Sequence, residues 1–186
     1  MSSKHLFTLA LSLSACAAAP DEGATATDGT AVVADPTALA HPPMRPLAFL
    51  VGRWRGSGSI ALGAGPRHTF TQTEEVVPKL DGVALTIEGL GRGEDGAVVH
   101  HAFAVLFHDA AAGGYRIRAF TREGRTVETE ATVDGASVAW GFDLGAQRVA
   151  YRIEVGADHR WVETGRMSRD GGATWLDFFA MELDRL

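Results

Sequence analysis

The sequence predicts an all-β fold, an antiparallel up-and-down barrel of about ten strands with a short N-terminal cap. Three observations carry that expectation. Apolar and polar residues alternate with period two from Arg53 to the C-terminus, as strands with one buried face require. The alternation is broken by turn dipeptides, among them Asp81-Gly82, Glu123-Gly124, Asp134-Gly135 and Gly171-Gly172, and no long helical run interrupts it. The composition agrees: 22 Gly and 7 Pro in 186 residues suit short strands and turns, in a chain long enough for one domain with its own core.

In chain order, Lys4 and His5 precede the brief apolar run LFTLALSLSA, which is too short to span a membrane and reads as a signal segment over 1–15. The next residues, Leu13 to Cys16, hold the only cysteine and resemble a bacterial lipoprotein lipobox. That resemblance implies that Cys16 becomes a lipidated N-terminus, and several acyl chains anchor stably where one does not. It also implies a cell-envelope location facing the periplasm. Ala17, which follows Cys16 in place of a retention Asp, favours the outer membrane. A single cysteine leaves no disulfide within the chain. Residues 16–44 are small, polar and punctuated by Pro and Gly, the composition of a flexible tether, with His41 a solvent-exposed part of it. The barrel domain is then expected over 45–186.

Pro46 to Val51 is a short apolar piece, either a helical turn or an extended cap over one end of the domain. Strands are expected at 53–62, 67–77, 83–92, 97–108, 114–121, 126–133, 136–144, 147–156, 159–167 and 174–185. Alternation assigns their faces. Val99, His101, Phe103, Val105 and Phe107 share one side of the fourth strand, taken as the inner one; Tyr115, Ile117 and Ala119 face inward on the fifth. Val138, Trp140, Phe142 and Leu144 continue the inner face, followed by Val149, Tyr151, Ile153 and Val155, and then by Trp175, Phe179, Met181 and Leu183. Arg116 and Arg118 face outward against Glu128 and Glu130 as cross-strand charge pairs.

The segments FLVGRWRGSG (Phe49 to Gly58), VVPKLDGVALTIEG (76–89) and SRDGGATWLDFFAMELDR (168–185) resemble those of the calycin superfamily, most closely uncharacterised bacterial lipocalin-like proteins of the DUF1579 type. The resemblance spans roughly residues 46–186 and extends in outline to the ten-stranded nitrobindin barrels. It implies that Gly52-x-Trp54 closes the barrel floor with Arg185 over the indole, a contact worth roughly 0.5 to 2 kcal/mol. Ser168, Asp170, Gly172, Thr174 and Trp175 match an Asp-box, which is expected to shape a hairpin rather than to mark a sialidase. Likeness to nitrobindin implies haem held by a histidine in the C-terminal part of the barrel. The last strand has no histidine and His159 sits beside a turn, so no cofactor is expected.

A formal charge of -6 argues against a nucleic-acid partner. Metal-binding His spacings and nucleotide-cradling loops are absent, and GSGS at 56–59 lacks the setting of a nucleophile elbow. No metal is expected. The leading expectation is a barrel that holds a small apolar or amphipathic molecule, walled by Phe103, Trp140, Phe142, Tyr151, Phe179 and Met181 and oriented by Tyr115 or His101. One alternative is a small hydrolase or isomerase pairing His101 with a carboxylate, Glu88, Glu163 or Glu74 as the strand registers allow. Another is a structural or protein-interaction domain without ligand.

Overall fold

The computed structural model describes residues 39–61 and 66–186. The signal segment, Cys16 and the tether as far as residue 38 lie outside the described residues. Ten strands follow one another: β1 (Gly52–Ala61), β2 (Arg67–Lys79), β3 (Ala84–Arg92), β4 (Val98–Asp109), β5 (Gly114–Thr121), β6 (Thr126–Asp134), β7 (Ser137–Leu144), β8 (Gln147–Val155), β9 (Trp161–Ser168) and β10 (Leu176–Arg185). Each pairs antiparallel with its neighbours in the chain, and β1 pairs with β10 to close the barrel. All-β class, antiparallel order and a short N-terminal cap are as the alternation predicted.

The cap is a 3-10 helix over Pro42–Leu50. Pro42 and Pro43 begin it and Pro46 lies inside it, where a missing N–H weighs against an α-helical ladder. Met44, Leu47 and Leu50 are buried, as is Leu39 ahead of them. The packed domain therefore starts before residue 45, and the last residues expected in the tether belong to the core. Gly52 has φ 135, a conformation that side chains disfavour, and it turns the chain from the cap into β1.

Beneath the cap, Trp54 is fully buried and its Nε1 donates to Leu50 O at 2.9 Å. The Arg185 guanidinium lies 4.1 Å from the Trp54 ring centre. It donates to Phe49 O at 2.7 Å and also to Val51 O, so one side chain holds the last strand, the floor indole and the cap together. Trp161 meets Trp54 edge-on at 5.4 Å. Tyr115 OH donates to Pro43 O at 2.7 Å and ties the cap to the opposite wall.

Besides a register shift between β3 and β4 at Gly91/Arg92, two irregularities interrupt the ladders. A bulge in β10 between Asp177 and Phe179 shifts its register against β9. Trp175 consequently sits on the preceding loop, stacked by Arg166 at 5.3 Å, and not on the inner face expected for it. The second irregularity is between β6 and β7. Their ladder runs only from Ala131↔Trp140 to Asp134↔Ser137, next to the capped end. Beyond it the strands part, bridged by Thr129 Oγ1 donating to Gly141 O at 2.7 Å.

Candidate functional site

Each strand carries a row of inward positions from the cap toward the open end. On β2 they are Val76, Glu74, Gln72 and Phe70; on β9, Trp161, Glu163 and Gly165; on β10, Leu183, Met181 and Phe179; on β8, Ile153 and Tyr151. Glu163 lies opposite Met181 and Ile153, one step above Trp161. The interior thus has three tiers: two indoles at the floor, a polar tier of Gln72, Glu74 and Glu163, and an aromatic tier at the mouth.

The polar tier is the chemically unusual part. Glu74 and Glu163 are buried, with 7% and 9% of their surface accessible, and Gln72 is wholly buried. Gln72 Nε2 donates to Glu74 Oε1 at 2.6 Å, and Trp161 Nε1 donates to Glu163 Oε2 at 3.3 Å. Burial pushes the Glu74 carboxyl up to about 7, against the lowering effect of Gln72. Burial, and then the nearby Glu74 charge, push Glu163 up to about 8. Like charges close together in a dry interior cannot both ionise easily, so the pair retains a proton near neutral pH.

Glycines on β3 make room for these side chains. A Cβ on Gly89 falls 2.4 Å from Glu74 Oε1, and one on Gly91 falls 2.7 Å from Gln72 Oε1. The two polar side chains lie flat against β3, where any larger residue meets them.

Tyr151 is the hub of the aromatic tier. It stacks on Trp140 at 5.3 Å and on Phe142 at 6.5 Å, and meets Phe178 edge-on at 5.7 Å and Phe179 at 6.0 Å. Burial and the Glu163 charge raise its phenol. Phe179 continues the wall to Phe70 at 6.1 Å and to the His100 ring at 6.2 Å. Burial lowers His100 below its ordinary value, which leaves the imidazole neutral at pH 7. An open groove of about 580 Å³ lies in the parting between β6 and β7, bordered by residues 126–129 and 141–144 and by Arg148, with Glu128, Asp143 and Arg148 making it largely polar.

The structure brings together Trp140, Phe142, Tyr151, Phe179 and Met181, the inner-wall residues read from alternation. Two others point the opposite way. His101 faces outward, with Nε2 3.0 Å from Glu88 Oε1 in an exposed pair, and never meets Glu163. Phe103 is 38% exposed and packs on Phe120 at 6.3 Å outside the barrel. The inner face of β4 is His100, Ala102, Ala104, Leu106 and His108 instead. In the middle of that row Ala102 and Ala104 leave room for the rings of Phe70, Tyr151 and Phe179, while His100 reaches Phe179 at 6.2 Å and Leu106 is buried. Tyr115 does point inward, but at the capped end, where its hydroxyl is used by Pro43.

Asp-box geometry is present in full. Ser168 Oγ and Thr174 N donate to Asp170 Oδ1 at 2.7 and 2.9 Å, Thr174 Oγ1 donates to Oδ2 at 2.6 Å, and Gly172 N donates to Ser168 Oγ at 2.7 Å. Those bonds are internal to the hairpin, a structural device. Outside the barrel Arg116 and Arg118 both pair with Glu128, at 3.1 and 3.7 Å.

No protein-family model matches the chain, and no curated protein matches it. Among solved structures it is similar to Rv2717c from M. tuberculosis, with a TM-score of 0.57 at 17% identity, covering 78% of this chain and 98% of that one. It is also similar to the S-type phycobiliprotein lyase CpeS from Guillardia theta, with a TM-score of 0.51 at 12% identity, covering 74% and 89%. Likeness at such identities establishes the fold alone. The chain has a ten-stranded antiparallel barrel resembling calycin and lipocalin folds, and neither of these two proteins is a lipocalin by name.

Proposed function

We propose that this barrel binds a small amphipathic molecule through its uncapped end, and that lipid on Cys16 holds it in the cell envelope. One observation carries the binding reading: a continuous aromatic wall centred on Tyr151 stands at the mouth, directly above a buried polar tier. Ligand sites combine apolar lining with a few convergent polar groups, and this interior has that layout. The apolar body of the ligand lies against Trp140, Phe142 and Phe179, and its polar end points toward Glu74 and Glu163. His101, Phe103 and Tyr115 take no part.

Titration with a neutral apolar fluorophore tests this. Binding is expected to the wild type, and Tyr151→Ala with Trp140→Ala is expected to weaken it about tenfold or more, since buried aromatics dominate such contacts. A folded wild type that takes up no apolar probe overturns the reading.

A second reading, a small barrel enzyme, draws support from the carboxyl pair. Groups that exchange a proton near neutral pH are suited to general acid–base work. Under that reading Glu163→Gln abolishes turnover and leaves probe binding intact, whereas equal turnover by the variant rejects it.

A further inference from the structure

We infer that the polar tier is a recognition site for a cationic amine, so that the molecule held by the barrel carries an ammonium group on an apolar body. This rests on the binding function proposed above and adds the chemical class of the ligand.

Donors and acceptors in the tier are out of balance. Glu74 and Glu163 together bring four carboxyl oxygens, one of which carries the retained proton, and Gln72 brings a carbonyl. Among the described residues, side-chain donors reach only Glu74 Oε1, from Gln72, and Glu163 Oε2, from Trp161. Gln72 Oε1 is a second, independent sign: it is buried without a hydrogen-bond partner, on a side chain with no accessible surface. A buried acceptor left unmade costs about 1 to 3 kcal/mol, so such atoms mark places where a donor belongs.

No cation of the chain fills that need among the described residues. The titratable groups facing the tier are Tyr151 from β8 and His100 from β4, both neutral near pH 7. β3 contributes only Gly89 and Gly91 here, and β10 contributes Met181. Arg125 acts on Tyr151 but pairs with Glu123 at 3.6 Å, and Arg185 lies over Trp54 and is committed to Phe49 and Val51. An ammonium group offers three donors and a charge, and it suits surplus acceptors. The rings of Tyr151 and Phe179 above the tier add the cation–π attraction that aromatic walls give to amines. An alcohol offers one donor and no charge; a carboxylate brings a further acidic group to an already acidic interior. The site therefore ranks amine over alcohol over carboxylate.

A competition experiment on the full chain reads this order. A neutral apolar fluorophore is bound, then displaced by octylamine, octanol or octanoate at about pH 7, and the same series is run on Glu163→Gln and Gln72→Leu. Octylamine is expected to displace about tenfold more effectively than octanol, with octanoate weakest. Glu163→Gln is expected to bring amine and alcohol to within about twofold of each other. Should that variant not fold, the wild type alone gives an answer. An ammonium ion entering a protonated carboxyl pair expels a proton, so the heat of octylamine binding must differ between buffers of different ionisation heat. Amine and alcohol displacing equally, with no proton released, overturns the amine site and leaves apolar binding standing. Fluorophore that never binds overturns both.

Discussion

Replacement of Glu163 by Gln should make the protein more stable at alkaline pH, although it removes a hydrogen-bonded buried group. The sign comes from the proton balance. In the unfolded chain the carboxyl ionises near its ordinary 4.5, whereas the folded barrel holds its proton up to about 8. Below about pH 4 both states are protonated, and the group leaves stability unchanged. As pH rises from there toward 8 the unfolded state releases its proton first, so stability falls progressively and then levels off. Each tenfold difference in proton affinity is worth about 1.4 kcal/mol, so the accumulated cost at Glu163 is on the order of 3 to 5 kcal/mol. Gln cannot ionise, and its amide oxygen still accepts from Trp161. The variant also removes the charge that the Glu74 carboxylate would have to face. Urea unfolding followed by the fluorescence of buried Trp54 and Trp161 measures the effect. Near pH 5 the two proteins should be close; near pH 9 the variant should lead by several kcal/mol. Parallel pH profiles would refute the claim that these carboxyls titrate inside the fold.

Trp54→Ala should cost about 3 to 5 kcal/mol in the same unfolding assay, because it empties the floor and strands Arg185. Probe binding, scaled to the folded fraction, should be unchanged; selective loss of binding would relocate the site to the capped end. Gly89→Ala should destabilise by about 1 to 3 kcal/mol, since its Cβ would fall 2.4 Å from Glu74 Oε1. Adding Glu74→Ala should recover much of that loss, and a double variant no better than the single one would reject the contact. Asp170 is held below its ordinary value by hydrogen bonds from Thr174 and Ser168. Its support for the hairpin is present above about pH 4 and is lost as acid protonates it. Asp170→Asn should therefore speed amide exchange across 168–175 near neutrality and draw level with wild type in acid. An unchanged exchange pattern at neutral pH would deny the Asp-box its structural role.

Strand order and the capped floor were legible because both depend on local pattern. Alternation needs only neighbouring residues, and Gly52-x-Trp54 with Arg185 resembles a known closure. The face of β4 was not legible. Val99, Phe103, Val105 and Phe107 are the larger apolar set on that strand, and strand logic alone turns them inward. What sets that face is the room that Ala102 and Ala104 leave for Phe70, Tyr151 and Phe179, on strands far away in the sequence. The carboxyl pair was hidden for a different reason. Glu74 shares parity with Phe70 and Val76, and Glu163 with Trp161, so alternation does place both inside. Nothing in either strand records that β2 and β9 bring them close enough for the charge of one to act on the other. That proximity comes from closure, with β1 and β10 lying between those two strands.

The short β6–β7 ladder gives the barrel a mechanical asymmetry. Where the chain ends meet, β1 and β10 are clamped by Arg185 and the cap. The weakest seam lies mid-chain instead, fastened beside the cap and unlaced toward the mouth. β7 carries Trp140 and Phe142 along this seam, while β8, with Tyr151, stays laddered to β9 from Arg148 to Val155. Loosening there is confined to the β6–β7 edge, and amides of 126–130 and 141–144 should exchange ahead of those near the cap.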